Sequence, residues 1–206
     1  MPCARWSRRF AFSAVVATAA LSLPAGAAAA GPGCGGCPSS SLSKPFMPWL
    51  DPANYVLAPG GDAETAGSWT LRGGAAVVAG NEPFQVGASG DQASLRLPSG
   101  SSAATAPMCI GLAHPTVRFF AKRETGSPLD LLRVEALFTD AAGYDHSLPI
   151  GIVLGLGRWA PTTPLVIGVN TLALIGDPLQ VSFRFAPLNG SRWSIDDVYV
   201  DPYRTN

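Results

Sequence analysis

Residues 131–139 read LLRVEALFT and alternate in polarity with a period of two. Arg133 and Glu135 lie on one side of this pattern. The other side is apolar and consists of Leu132, Val134, Ala136 and Phe138. Such alternation predicts a β-strand that turns one face towards a hydrophobic core and the other towards solvent. The chain is therefore expected to contain a sheet that buries only one of its two faces.

Similar segments extend on both sides of this stretch. Residues 116–122 (TVRFFAK) and 181–185 (VSFRF) follow the same pattern, and residues 193–200 (WSIDDVYV) close the series. Shorter strands between glycine- and proline-rich turns are predicted for Asn54–Ala58, Trp69–Arg72, Ala75–Ala79 and Ser94–Leu97. About nine to eleven short strands with no sustained helical period predict an all-β chain, folded as a single antiparallel β-sandwich.

Two segments of the chain are less regular. Residues 165–175 (LVIGVNTLALI) are predicted as a strand because of Gly168 and several β-branched side chains, with a short buried helix as the alternative. The run Gly100-Ser101-Ser102 follows a proline turn and is predicted as a loop.

The first thirty residues follow the order of a signal peptide. Arg5, Arg8 and Arg9 precede the apolar run 10–23, and the small residues Ala25–Ala30 offer cleavage sites. We predict a signal peptide over 1–30, a flexible leader over 31–44 and one domain over 45–206. The apolar run is shorter than the roughly 20 residues of a membrane-spanning helix, so we expect a secreted protein without a membrane span after cleavage. An uncleaved anchor is the alternative, and the Arg8-Arg9 pair leaves the export route open.

The charge balance excludes one class of partner. The chain has 14 Lys and Arg against 14 Asp and Glu, and signal cleavage removes three of the arginines. The mature chain is therefore slightly acidic and has no basic stripe, whereas nucleic-acid-binding domains need one. Nucleic acid is not an expected partner.

Three cysteines remain after signal cleavage, and export exposes them to oxidising conditions. Cys34 and Cys37 have the C-x-x-C spacing, but they lie in the Gly/Pro/Ser tract GPGCGGCPSSS rather than at a helix start. We predict a disulfide between Cys37 and Cys109, with Cys34 as the remaining thiol. Pairing of Cys34 with Cys109 stays open as the alternative.

Several stretches together resemble carbohydrate-binding modules of the galactose-binding-like, jelly-roll type. Residues 54–69 (NYVLAPGGDAETAGSW) resemble the opening of these domains, and residues 193–198 (WSIDDV) resemble their last strand. Residues 116–122 and 131–139 resemble their paired central strands. The resemblance covers about residues 50–203 and implies a two-sheet antiparallel jelly roll. The whole chain also resembles a set of secreted actinobacterial proteins, a resemblance that implies no function.

The resemblance further implies one structural calcium ion where the first and last strands meet. The matching positions are Glu64 in the opening turn and Asp196 or Asp197 in the last strand. Carboxylates are ligands that calcium prefers, because it takes roughly six to eight hard oxygen atoms. In the alternative, these carboxylates are solvated or make ordinary hydrogen bonds.

A ligand site is predicted around one tryptophan. Trp159 follows Arg158 in the loop-like stretch GRWAP, and an aromatic ring beside a cation suits a sugar ring and its hydroxyl groups. Tyr144 and Asp145 follow Gly143 and are predicted to join this site at a loop tip. The alternative is that Trp159 packs a loop against the sandwich.

No hydrolase motif is present: the chain has neither G-x-S-x-G nor H-E-x-x-H. We therefore predict a secreted, non-catalytic binding module and not an enzyme, with a glycan or another cell-envelope component as its partner. A structural or adhesive cell-envelope protein that binds other proteins is the alternative. A hydrolase with an unrecognised site is the second alternative.

Overall fold

The computed structural model describes residue 37 and residues 40–174 and 177–202. Every strand pair in it is antiparallel, and the strands form two sheets. Three short 3-10 helices, Met47–Trp49, Ala66–Ser68 and Val169–Leu174, complete the elements. None of the described helices is long and apolar enough to cross a bilayer. The prediction of an all-β antiparallel sandwich is confirmed.

Within the described part of the chain, one sheet has seven strands and the other has six. The seven-stranded sheet consists of β1 (Val56–Leu57), β3 (Ala76–Ala79), β4 (Ala93–Leu97), β7 (Thr116–Thr125), β10 (Ala160–Pro161), β11 (Leu165–Val166) and β13 (Arg192–Asp201). The six-stranded sheet consists of β2 (Trp69–Arg72), β5 (Ser102–Thr105), β6 (Met108–Ile110), β8 (Leu131–Thr139), β9 (Asp145–Leu154) and β12 (Leu179–Pro187). The main path of the first sheet runs β10-β7-β13-β4-β3, and that of the second runs β2-β5-β12-β8-β9.

The core lies between the two sheets. The period-two alternation turns Val181, Phe183 and Phe185 of β12 inwards, and all three are fully buried. Phe119 of β7 meets Phe185 edge to face, with 4.9 Å between ring centroids. Trp193 is also fully buried, and its indole N–H donates to Ser191. The strand prediction for residues 131–139 has the same bounds as β8, whose Leu132, Val134 and Ala136 face this core.

The predicted disulfide is present between Cys37 and Cys109, whose Cα atoms are 5.4 Å apart. Cys109 lies in β6, so the bridge joins the N-terminal part of the chain to the six-stranded sheet. Cys34 and the predicted signal peptide lie outside the described residues, as does most of the predicted leader. The boundaries of these segments stay predictions.

The structure of the two irregular segments, 165–175 and 100–102, differs from the prediction. Residues 165–175 do not form one strand: β11 ends at Val166, and Val169–Leu174 is a 3-10 helix. Gly168 has a φ of +72°, which is unsuited to a continuing strand. Ser102, predicted as part of a loop, begins β5, and the ten-residue strand β9 was not foreseen. Strand β9 carries Pro149 and Gly151, which weaken strand propensity, and it forms by pairing with β8.

Candidate functional site

The outer faces of the two sheets are covered to different extents. Phe120 and Tyr199 project from the outer face of the seven-stranded sheet and are buried there under Phe46 and Tyr55. Phe46 stacks on Phe120 with 5.3 Å between ring centroids. Ser43 forms a β-bridge with Tyr55, which closes the covering segment 43–55 on itself. This outer face therefore holds a second hydrophobic cluster rather than an open binding surface.

The outer face of the six-stranded sheet is open and concave. The polar side chains of β12 that alternate with its core residues face outwards, and a cavity of about 570 Å³ lies over β2, β5 and β12. We call this cavity the outer cleft and define it by Thr70, Arg72, Ser102, Ala104, Ser182 and Arg184. A second cavity of about 460 Å³ shares Ser182 and Arg184 with it and extends over β8 and β9 to Ser147. The two cavities share further lining residues, Pro107 and Leu137, and form one groove of mixed polar and apolar lining across the strands.

Arg184 is fixed within this groove by Glu135. Its Nε donates to Oε2 of Glu135 at 2.7 Å, and its Nη2 donates to the hydroxyl of Ser147 at 3.0 Å. The hydrogen bond from Arg184 holds the pKa of Glu135 below its ordinary range, although burial opposes this. Arg133 lies 3.5 Å from the same Oε2 atom. The register between β12 and β8 explains why these side chains lie together. It pairs Arg184 with Glu135, and both are on the outward face of the sheet.

The turn between β8 and β9 carries a second polar group at the end of the groove. Asp145 accepts a hydrogen bond from the hydroxyl of Thr139 at 2.7 Å. Nε2 of His146 lies 2.7 Å from Oδ2 of Asp140, and this contact lowers the pKa of Asp140. The imidazole of His146 also stacks on Phe138, with 5.1 Å between ring centroids. His146 thus contacts a carboxylate and an aromatic ring.

A separate group of carboxylates surrounds the bulge of β13. Asp197 is 1% exposed and has a φ of +51°, and its two carboxylate oxygens accept no hydrogen bond from any described residue. Burial raises the pKa of Asp197, and the charges of Glu82, Asp91 and Asp62 raise it further. A Cβ atom on Gly87 would lie 2.6 Å from Asp91 Oδ2 and 2.9 Å from Asp197 Oδ1. Only glycine leaves room for these two carboxylates to face the same space.

Both carboxylate oxygens of the neighbouring Asp196 accept hydrogen bonds from backbone N–H groups. Its Oδ2 accepts from the N–H of Glu82 at 3.1 Å, and its Oδ1 accepts from the N–H of Asp197 at 2.9 Å. Burial raises the pKa of Asp196, and the charge of Asp197 adds to this effect. Glu82 itself accepts hydrogen bonds from the N–H groups of Phe84 and Val86, which shape the loop over the carboxylates.

The predicted site residues lie in different parts of the molecule. Trp159 packs against the second hydrophobic cluster beside the seven-stranded sheet, and Arg158 next to it is exposed. Tyr144 is 69% exposed at the β8–β9 turn, and Asp145 begins β9 in the other sheet. The structure therefore does not bring Trp159 together with Asp145 on one sheet.

The predicted calcium ligands Glu64, Asp196 and Asp197 do not form one group either. Oε1 of Glu64 accepts hydrogen bonds from the N–H groups of Gln92 and Ala93 at 2.7 and 2.8 Å. Glu82 and Asp91, whose charges act on Asp197, were not among the predicted calcium ligands, because they lie in an irregular loop. Among the described residues, no three His, Cys, Asp or Glu side chains are grouped so that they alone could hold a metal ion. A cation at Asp197 would therefore need backbone carbonyl oxygens or water among its ligands.

Comparisons with known proteins agree with this architecture. No protein-family model and no curated protein matches the sequence. The fold is similar to the CBM22-1–GH10 modules of an endo-1,4-β-D-xylanase from Clostridium thermocellum, solved with xylohexaose, at 9% identity and a TM-score of 0.50. That match covers 70% of this chain but only 27% of the xylanase chain. It shows a shared sandwich fold alone.

Two further structures are matched over most of their own length. A CBM22-1 xylan-binding domain from Paenibacillus barcinonensis is 13% identical with a TM-score of 0.48, covering 75% of this chain and 97% of the domain. A CBM29-2 variant in complex with mannohexaose is 13% identical with a TM-score of 0.44, covering 71% and 90%. Nothing in these comparisons supports the resemblance to actinobacterial proteins. The two-sheet antiparallel sandwich follows from the strand pairing of this chain, and the CBM22-1–GH10 structure is similar to it.

Proposed function

We propose that the chain is a secreted, non-catalytic glycan-binding module and that the outer cleft is its binding site. The observation that carries this proposal is the difference between the two outer sheet faces. The segment 43–55 covers one, whereas the other presents an open groove to solvent. A groove across several strands suits an extended polymer, because every strand can contribute an outward side chain at intervals of two residues.

The groove offers hydrogen-bonding groups of both kinds. Thr70, Ser102 and Ser182 contribute hydroxyl groups that donate and accept, and Arg72 contributes a guanidinium that donates only. Ala104 forms a small apolar floor between them. Hydroxyl-rich ligands need this mixture of donors and acceptors around a shallow surface. The fold comparison gives weaker support, since sandwiches of this kind host many functions.

We also propose that a calcium ion binds at Asp197. The buried carboxylate with no partner is the supporting observation, because an uncompensated buried charge is costly and a divalent cation would compensate it. Asp197 and Asp91 are the residues that would hold the ion, with Glu82 and Asp62 nearby. The ion would supply positive charge between β13 and the loop 80–92. Its role is structural, since β13 belongs to the seven-stranded sheet and the outer cleft lies on the other.

The glycan proposal is tested by a binding screen against polysaccharides with two single-residue variants. Ala104→Phe fills the floor of the outer cleft, and Trp159→Ala removes the aromatic side chain at the other predicted site. Loss of binding in Ala104→Phe alone, with an unchanged thermal transition, supports the outer cleft. Loss in Trp159→Ala alone would move the site to the seven-stranded sheet. Absence of binding to any glycan by a folded sample would reject the glycan proposal.

A second function is favoured by a specific observation. Five large apolar side chains are more than 40% exposed along β9 and its surroundings, namely Leu148, Ile152, Leu154, Leu156 and Val166. Exposed apolar patches of this kind are typical of protein-binding surfaces. An adhesive cell-envelope protein would use this edge of the sandwich. Replacement of Ile152 and Leu154 by Ser would then weaken attachment to the cell envelope without affecting glycan binding.

A further inference from the structure

Among the described residues, two arginines are the only charged ones that line the outer cleft. Arg72 projects from β2 and Arg184 from β12, and no Asp or Glu is among the described residues that line this cavity. The guanidinium of Arg72 makes no hydrogen bond or ion pair with any described residue, and Arg72 is exposed. An unpaired cation therefore faces the cavity.

The strand between them sets the geometry. Strand β5 pairs Ser102 with Arg72 of β2 and Ala104 with Arg184 of β12. The two arginines therefore flank one strand, with roughly 10 Å between the strands that carry them. Because the side chains of Ser102 and Ala104 are small, the surface between Arg72 and Arg184 is low, and both guanidinium groups rise above it. A planar anion lying on this floor is within reach of both side chains.

Arg184 is already oriented for such a contact. Glu135 binds its Nε and Ser147 binds its Nη2, while no described residue accepts a hydrogen bond from its Nη1. Glu135 lies close to Arg133 as well as Arg184, so this group of three carries a net positive charge. Arg72 and Arg184 flank β5, whereas Asp145 lines the other cavity of the groove, over β9. The positive charge of the groove is therefore concentrated in the outer cleft. Guanidinium groups bind carboxylates through paired, charge-assisted hydrogen bonds.

The cavity is poorly equipped for stacking against a neutral sugar. Of the residues that the structure describes, Trp69 is the one aromatic residue that lines the cavity, and it is 7% exposed. Its ring packs towards Phe185, with 6.1 Å between ring centroids, and its indole N–H donates to the carbonyl of Gly60. Charge rather than ring stacking is therefore the main means of recognition that the cavity offers.

We propose that the outer cleft selects acidic glycans, and that a uronic acid carboxylate binds between Arg72 and Arg184. This inference rests on the proposed glycan-binding function and adds the ligand class. It also predicts a strong dependence on ionic strength, because exposed charge pairs are screened by salt.

The test compares polygalacturonate with neutral xylan and mannan and with a sulfated polysaccharide, using titration calorimetry on the full mature chain. Arg72→Gln removes the unpaired charge. Arg96→Gln is the matched control, since Arg96 is also exposed but lies on β4 of the other sheet. We expect polygalacturonate to bind best and Arg72→Gln to weaken it roughly tenfold, whereas Arg96→Gln leaves it unchanged.

The double variant Arg184→Gln, Glu135→Gln removes the second cation without leaving a buried carboxylate unpaired. Loss of polygalacturonate binding in this folded variant would support the inference. Equal binding of neutral glycans that is insensitive to Arg72→Gln would overturn the inference but keep the glycan-binding function. Preference for the sulfated polymer alone would also overturn it. Failure of every glycan to bind would reject both proposals.

Discussion

Arg118 of β7 and Asp51 of the covering segment form an ion pair on the outer face of the seven-stranded sheet, with 2.5 Å between Nη1 and Oδ2. Tyr55 donates its hydroxyl to the same Oδ2 atom at 2.7 Å. The guanidinium of Arg118 lies 4.3 Å from the ring centroid of Phe46 and donates from Nε to the carbonyl of Thr162. The pair therefore fastens segment 43–55 over the second hydrophobic cluster and keeps this face closed.

Replacement of Asp51 by Asn is expected to destabilise the fold. Arg118 is 8% exposed and would keep its charge without a carboxylate partner. Removal of one member of a buried pair costs several kcal/mol, and partial exposure of Asp51 reduces this to about 2 kcal/mol. Urea denaturation measures the loss. Asp177→Asn, at an exposed position, is the control, and an equal effect of both substitutions would show that the pair contributes nothing specific.

The same pair predicts a pH dependence of stability. Burial disfavours the charged form of Asp51, but hydrogen bonds from Tyr55, Ala53 and Arg118 outweigh it and lower its pKa. The stabilisation is therefore complete above the unfolded pKa of about 3.9 and is lost as the pH falls through the lower folded value. The difference in free energy of unfolding between wild type and Asp51→Asn should be constant above about pH 5 and shrink below about pH 4. A difference that grows on acidification would refute this assignment.

The disulfide is expected to contribute through the length of the loop it closes. Cys37 and Cys109 are 72 residues apart, and in the chain-entropy model such a bridge stabilises by about 4 kcal/mol. Cys109→Ser should lower the midpoint temperature of thermal unfolding by many degrees under oxidising conditions. Cys34→Ser should leave it unchanged if Cys34 is the remaining thiol. A large effect of Cys34→Ser would instead show that the two N-terminal cysteines exchange partners.

Calcium should stabilise the wild type through Asp197. At a calcium concentration about a hundredfold above the dissociation constant, binding to the folded state alone adds about 2.7 kcal/mol. Scanning calorimetry with calcium and with chelator measures this increment. Asp197→Asn should abolish the increment without destabilising the chelated protein, because it removes a buried carboxylate that has no partner. Asp140→Asn, at the exposed β8–β9 turn, should keep the increment. A calcium response that survives Asp197→Asn would place the ion elsewhere.

The regular parts of the fold were predictable because their side chains alternate over the length of a strand. Strands β2 and β8 have the predicted bounds, and the apolar side chains Leu132, Val134 and Ala136 of β8 face the core as predicted. Strand β9 was not predictable, since Pro149 and Gly151 interrupt its pattern and its pairing with β8 supplies the order. Residues 165–175 were assigned wrongly as one strand, because short apolar runs do not distinguish strands from buried helical turns.

The candidate sites were less predictable than the fold. The alternation along residues 131–139 was enough to predict that Arg133 and Glu135 point away from the core, and the resemblance to carbohydrate-binding modules pointed to Asp196 and Asp197 of β13. Only the tertiary structure placed Arg184 beside Glu135, 49 residues away, and Arg72 and Arg184 on either side of β5. Sheet register brings these side chains together, and register depends on hydrogen bonds between distant strands. The covering of one sheet face by residues 43–55 likewise arises from packing between segments far apart in the chain, which no local pattern encodes.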